Sequence, residues 1–424
     1  MPTKAVIKSI LKEAIPSNKT ILENGIKILS YSTPTVRSIS LGIWIGVGSQ
    51  NEENSNSGIS HFIEHMVFKG TKNRSAYEIA NSLESIGGYL NAFTSKEHTC
   101  YYARFLNSHL PIAFDVLADL VLNPTFDSEE IEKEKGVVLE ELKNMEDDPG
   151  DLIQDYFDEA IYPTHPLGRS IIGTKESIKV LAKEDLNKYK NKNYIPSNII
   201  ITAAGNLNHD EVVNLVKKYF SKLNSTKKIQ TISNSFKYKP LIKTYIKPIQ
   251  QTHVIFGRDA FSAQSDLRYT GYILSTLLGG GMSSRLFQKV REKNGYAYNI
   301  YSFLSCLKSS GTFGVYLACD FSKKDKAIDL IKNEFELILK NGLTKTEVKR
   351  AKEHLKGSTV LSLESASNQM MRLGTSELYF KKQFSVEEVL SKVESISIDD
   401  VMNLANKLLK IDKFSDVRIN PSVN

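Results

Sequence analysis

The sequence predicts an α+β protein of two homologous lobes, each an antiparallel sheet packed with helices. Three observations point to this class. The 424 residues exceed what one hydrophobic core comfortably holds, and two large lobes is the simplest division. Strand-type alternation and helix-type periodicity are interleaved along the whole chain. The order of these patterns also repeats. Gly88-Tyr89 and Gly295-Tyr296, each opening the first strand of a pair, lie 207 residues apart; Glu130-Ile131 and Glu347-Val348, each in the first turn of a long helix, lie 217 apart.

In chain order, "SISLGIWIGVG" (38–48) alternates as a strand, and a Gly-Ser-Asn loop follows to Gly58. Ser60 is the expected N-cap of a helix carrying "HFIEH" (61–65). A second helix covers 75–87, and "GYLNAFTS" (88–95) with "HTCYYARFL" (98–106) forms a strand pair. Helices at 108–123 and 128–146, a buried-type strand at 197–206 and a helix at 208–223 close the first lobe, 19–223. The polar stretch 224–240 is the expected linker. The second lobe, 241–424, repeats the scheme with strands at 295–306 and 311–319 and helices at 323–339 and 344–360. The first 18 or so residues read as a lead-in without signal or transit character.

Composition narrows the function. A formal charge of +7, with lysines scattered beside glutamates, marks solvated helix faces, and without a dense Lys/Arg tract nucleic acid is not an expected partner. No apolar run is long enough to cross a bilayer. Three cysteines, Cys100, Cys306 and Cys319, lack metal-type spacing and suit a reducing compartment; a bacterial cytoplasm is the expected location.

His61 and His65 stand at i and i+4 of one helix, so both imidazoles face one ion, and zinc accepts such ligands. Glu64 falls beside that ion, where a general base belongs; the order is H-x-x-E-H. The rival reading is a helix whose histidines hydrogen-bond locally. A catalytic zinc with two histidines needs one more protein ligand. The helix at 128–146 offers Glu134, Glu140 and Glu141 among apolar residues. Glu134 and Glu141 share a face, whereas Glu140 is turned about 100° from its neighbour. Glu141 is the expected third ligand, with Glu134 orienting a histidine or Glu141 itself. The 207-residue shift places the HFIEH window on "RYTGY" (268–272), which has neither histidine nor carboxylate, so only the first lobe carries this chemistry.

These residues, with "GISHFIEHMVFKGT", "GGYLNAFTSKEHTCYY", "VVLEELKNMEDDP", "HPLGRSIIG" and "LGGGMSSRLFQKVREKNGYAYNIYS", resemble the pitrilysin and insulysin zinc peptidases. The resemblance is strongest to the catalytic beta subunit of mitochondrial processing peptidase and its bacterial homologues, and runs from about Thr20 to the C-terminus. It implies a clamshell of two lobes around a cavity, one zinc ion per chain on His61, His65 and Glu141, Glu64 as base and Glu134 as an auxiliary acid. It further implies that the edge strand of Asn91, Ala92 and Phe93 pairs with an extended substrate. Arg291 and Tyr298 match a pair that completes the site, though Tyr298 also reads as an ordinary strand aromatic. Asp151 and Asp155 match positions that recognise an arginine upstream of the cut, and read equally as a plain helix start after Pro149.

The implied activity is metalloendopeptidase cleavage of extended peptides or presequence-like unfolded segments in a closing chamber, with basic residues upstream of the cut compatible with the acidic pair. A homodimer is allowed. The alternative from another class is a noncatalytic presequence-binding or structural subunit, which the resembled family contains; such members usually lose part of the zinc motif, whereas all four residues are present here. "LGGGMSSR" lacks the lysine of a phosphate-binding loop, which argues against nucleotide binding.

Overall fold

A computed structural model describes residues 17–224 and 236–422. The lead-in before residue 17 and most of the 224–240 linker lie outside the described residues. In chain order the first half contains β1 (Asn18–Ile21), β2 (Lys27–Ser32), β3 (Ser38–Ile45), α1 (Ile59–Val67), α2 (Ala76–Glu84), β4 (Tyr89–Thr94), β5 (Thr99–Leu106), α3 (Leu110–Leu122), α4 (Ser128–Asp147), α5 (Pro149–Ile161), α6 (Lys175–Val180), α7 (Lys183–Asn193), β6 (Ile199–Gly205) and α8 (His209–Phe220). The second half contains β7 (Ile242–Lys247), β8 (Thr252–Ala260), α9 (Arg268–Gly279), a π-helical segment (Phe287–Lys293), β9 (Asn299–Cys306), β10 (Gly311–Cys319), α10 (Lys324–Asn341), α11 (Lys345–Ser362), α12 (Ala366–Phe380), α13 (Val386–Ser395), α14 (Ile398–Leu408) and β11 (Ser415–Pro421).

The strands form two sheets, ordered β1-β2-β6-β3-β5-β4 and β7-β11-β8-β10-β9. Each is antiparallel apart from one parallel pair, β2 with β6 and β7 with β11. Beyond β1, the two orders match strand for strand, as the repeated sequence pattern predicts. The offsets hold in space too: Glu130 and Glu347 lie in the first turns of α4 and α11, and the "RYTGY" window lies on α9.

Two compact units result, and they are not simply successive halves of the chain. One takes the described residues up to Leu142, with 169–224 and 362–386; the other takes 143–168, 236–361 and those from Glu387. Each sheet is covered on both faces. In the first unit, α1, α3 and α8 fill one face with Ile59, Phe62, Phe114, Val116 and Phe220, while α12 lays Met370 and Leu373 on the other, against Trp44 and Ile200. In the second, α10 and α14 pack Phe335, Ile338 and Leu404 on one face, and α5 lays Leu152, Ile153 and Phe157 on the other, against Ile255 and Val417. Each unit thus borrows one helix from the other half of the chain. Double coverage explains why every residue of β6 and β10 is buried and why both read as continuous apolar runs.

The close fit of α12 depends on Gly374. A Cβ there would stand 2.2 Å from Trp44 Cε2, and Trp44 is fully buried with Nε1 donating to Thr202 Oγ1 at 2.8 Å. No described helix is long and apolar enough to cross a membrane.

Candidate metal centre

The start of α1 is built differently from the sequence expectation. Ser60 is not the N-cap: the cap position is Gly58, at φ 92, and Ser60 lies buried in the first turn with its hydroxyl bonded to Tyr189 at 2.8 Å. Only glycine suits Gly58, because φ is positive and a Cβ would meet the Ile172 carbonyl oxygen at 2.2 Å. The free N–H groups of the turn are satisfied from outside the helix by Glu52, whose Oε2 accepts from Gly58 N–H at 2.7 Å and Oε1 from Ser60 N–H at 2.8 Å. Burial lifts the Glu52 carboxyl to about 7, against the pull of those two donors.

Helical spacing then aims His61 and His65 the same way, with ring centroids 4.5 Å apart. Glu141 arrives from α4, its Oε2 3.7 Å from His61 Nε2 and 3.5 Å from His65 Nε2. Glu134, two turns earlier on α4 and buried, takes His65 Nδ1–H on Oε1 at 2.8 Å and the Lys69 ammonium on Oε2 at 2.7 Å. A carboxylate at Nδ1 places the imidazole proton there and leaves the Nε2 lone pair free. Glu140 is exposed on another side of α4.

These donors fit a divalent cation. Ligand atoms about 2.1 Å from a tetrahedral zinc lie about 3.4 Å from one another, close to the observed separations, and the three donor atoms all fall within 4.8 Å of each other. Glu141 Oε2 is shut off from solvent with no hydrogen-bond partner, as is His61 Nδ1. Burial, with His65 alongside, drives His61 down to about 3, so its imidazole stays neutral and ready to ligate. An unpartnered carboxylate oxygen between two imidazole nitrogens is costly unless a cation sits there.

Glu64 is held to one side. Its Oε2 accepts from Thr94 Oγ1 at 2.5 Å, and Oε1 accepts no hydrogen bond from the described residues. Burial raises its carboxyl, with Glu141 adding to the rise and Thr94 and His65 opposing it.

Thr94 ends β4, the edge strand. The neighbouring turn pairs Ser95 N–H with His98 O, and the β4–β5 register runs Phe93↔Cys100, Ala92↔Tyr101 and Asn91↔Tyr102. Alternation along an antiparallel ladder therefore turns the main-chain N–H and C=O of Ala92 away from β5, toward the open edge. There the Asn91 side chain covers the Ala92 N–H, with Oδ1 accepting at 2.8 Å, while its Nδ2 donates to Tyr89 Oη at 2.5 Å. Phe93 points to the opposite face, packed edge-on against Trp44 and His98.

The remaining sequence candidates lie in the second unit. Asp151 and Asp155 stand one turn apart on α5, Asp151 exposed with its N–H on Asp148 Oδ1 at 3.2 Å, Asp155 with a buried, unpartnered Oδ2. Arg291 lies in the π-helical segment, its guanidinium 4.8 Å from the Phe287 ring centroid. Tyr298 precedes β9 and is 74% exposed, with its N–H on Ala318 O at 2.8 Å.

Sequence reasoning missed Glu52, Lys69 and Thr94. Thr94 was findable from strand parity, since it shares the core-facing side of β4 with Leu90 and Ala92. No spacing rule marks Glu52.

The insulinase (peptidase family M16) model matches residues 27–175, and the peptidase M16 inactive-domain model matches 181–355. An uncharacterized zinc protease of Streptomyces coelicolor is 38% identical over 92% of this chain and 87% of its own length. The uncharacterized zinc protease YmxG of Bacillus subtilis is 38% identical over 95% of this chain and 98% of its own. Among solved structures, a protease from Helicobacter pylori superposes with a TM-score of 0.90 at 24% identity, covering 96% of this chain and 100% of that one, and supports the fold. Two matched family segments, relatives spanning nearly the whole chain and a shared fold lead to one conclusion: the chain is a peptidase belonging to family M16, the insulinase family.

Proposed function

We propose that this chain is a zinc-dependent metalloendopeptidase in which His61, His65 and Glu141 hold one zinc ion and Glu64 is the general base, acting on extended peptides or presequence-like unfolded segments. The observation that carries the reading is the meeting of two imidazole nitrogens with an unpartnered, buried carboxylate oxygen, His65 being steadied from behind by Glu134. When bound, zinc supplies Lewis acidity, bringing water near neutral pKa and polarising a carbonyl.

The chain's own residues do the rest. With Oε2 engaged by Thr94, Glu64 has Oε1 free to take a proton from the attacking water and to return it to the leaving amine. Its rise with burial brings it nearer the working pH of a general base. The outward main chain of Ala92 offers an extended peptide its carbonyl as acceptor and, once the Asn91 side chain swings off it, its N–H as donor, which grips backbone and tolerates sequence. In the same reading Tyr298 hydrogen-bonds the developing oxyanion, Arg291 assists it, and Asp151 with Asp155 receives a basic residue upstream of the cut.

The test is Glu64→Gln. Metal analysis should still find about one zinc per chain, while cleavage of a mixed peptide library is lost. Full activity in this variant refutes the assigned base, and absence of zinc from the wild-type protein refutes the metal centre.

A further inference from the structure

We propose that Thr94 is a positioning residue for the general base, and that its place on β4 ties the orientation of Glu64 to the strand edge on which a peptide pairs. The inference rests on the reading of Glu64 as base.

A glutamate carboxylate rotates through a broad, weakly restrained terminal torsion, so a helix alone does not decide which oxygen faces the reacting atoms. Here a single donor decides it: Thr94 Oγ1 donates to Glu64 Oε2 at 2.5 Å, leaving Oε1 as the free basic oxygen. Thr94 is well suited to this role. Its branched side chain has little χ1 freedom, and its backbone is held from both sides, by the pairing of Phe93 with Cys100 and by the tight turn beyond. In that turn Ser95 N–H donates to His98 O at 2.8 Å, and Ser95 Oγ accepts from Glu97 N–H and His98 N–H at 3.3 and 3.1 Å. Thr99 Oγ1 in turn donates to Val47 O at 3.1 Å.

Parity supplies the second half. Thr94 and Ala92 are two apart, so both send side chains toward α1 and both turn main-chain groups to the open edge. The residue that fixes the base is therefore part of the rail along which an extended peptide would lie. Base and scissile carbonyl are then registered from one strand, and misplacement of about 1 Å at such a site costs on the order of 100-fold in rate.

The experiment compares Thr94→Val, which keeps shape and removes the hydroxyl, with Thr94→Ser, which keeps the hydroxyl. Each is measured for kcat and KM on a quenched fluorescent peptide, for zinc content and for Tm, alone and combined with Glu64→Gln. The expected result for Thr94→Val is a fall in kcat of about 10- to 100-fold, with KM, zinc content and Tm close to wild type. Thr94→Ser restores most of the rate, and Glu64→Gln/Thr94→Val is no slower than Glu64→Gln alone, because both changes act on one group. Wild-type kcat in Thr94→Val, a rise in KM in place of the fall in kcat, or an equal loss in the Val and Ser variants with a lowered Tm, overturns the role of Thr94. If Glu64→Gln itself retains cleavage, the base assignment has failed instead.

Discussion

Replacing Glu134 with glutamine tests how α4 controls His65, a proposed zinc ligand that α4 does not itself supply. In the native site both oxygens of this buried carboxylate are committed, Oε1 to His65 Nδ1 at 2.8 Å and Oε2 to Lys69 Nζ at 2.7 Å. Glutamine has the same shape but only one acceptor. If the amide oxygen stays on His65, the ammonium of Lys69 meets an NH2 group and must turn to water, which it can reach because its side chain is 33% exposed. If the amide flips to serve Lys69, the NH2 donates to Nδ1, the imidazole proton moves to Nε2, and the lone pair facing Glu141 is lost. Either outcome weakens the proposed grip on the metal, since even the first replaces a charged acceptor by a neutral one behind His65. Outer partners of metal-bound histidines are typically worth about 10- to 100-fold in affinity, or about 1.4 to 2.7 kcal/mol. We expect Glu134→Gln to raise the zinc Kd by that factor while the metal-free protein melts close to metal-free wild type. Competition against a chromophoric zinc chelator at fixed pH measures the first, and calorimetry the second. An unchanged Kd would refute the claim that Glu134 orients His65.

Three further predictions concern the support of the site. Burial holds Glu52 at about 7 against an ordinary 4.5, so the folded chain keeps a proton that the unfolded chain releases; the stability this adds is fully present below the lower value and lost as pH rises through the upper. Glu52→Gln should therefore gain on wild type in unfolding free energy between about pH 5 and pH 8, by up to about 3 kcal/mol, and a pH-independent difference would contradict it. Gly374→Ala drives a methyl group into Trp44, so α12 must lift; we expect a loss of about 1 to 3 kcal/mol by denaturant titration, and unaltered stability would show that the helix does not lie so close. Ala92→Pro removes a donor that faces the open edge and leaves the β5 ladder intact, so KM for peptides should rise about tenfold with little change in Tm; an unchanged KM would mean that substrates do not pair there.

Much of this centre was legible because it obeys local periodicity. The i, i+4 rule puts both imidazoles on one face of α1, and the seven-residue interval between Glu134 and Glu141 puts both acids on the inner side of α4 while Glu140 turns outward, as observed. What was not legible depends on where the chain goes after a local pattern ends. A serine ahead of an apolar run is the usual sign of an N-cap, but the positive φ of Gly58 starts the helix earlier and buries Ser60 inside it, leaving the capping to a carboxylate from the preceding loop. The exchange of α5 and α12 was hidden for the same reason. Periodicity shows that a helix has an apolar face, but not which sheet that face covers.

The duplication separates what α1 and α4 do for the fold from what they do for chemistry. Shifting by 217 carries Ile131 and Val138 of α4 onto Val348 and Leu355 of α11, so the apolar stripe that docks the helix is kept. The same shift carries Glu134 and Glu141 onto Ala351 and Ser358, while the 207-residue shift places the HFIEH window on α9, where Gly271 lets the helix close on Phe261 and Leu304. The second unit thus builds the same sheet order and double coverage without any of the proposed ligands. The fold does not need them. Buried imidazole nitrogens and carboxylates that lack partners oppose folding, and a copy freed of the chemistry has replaced them with alanine, serine and close packing. Their presence in the first unit, where Glu52 holds the head of α1, Glu134 backs His65 and Thr94 engages Glu64, accords with the proposed function, in which one place must hold both a cation and a base.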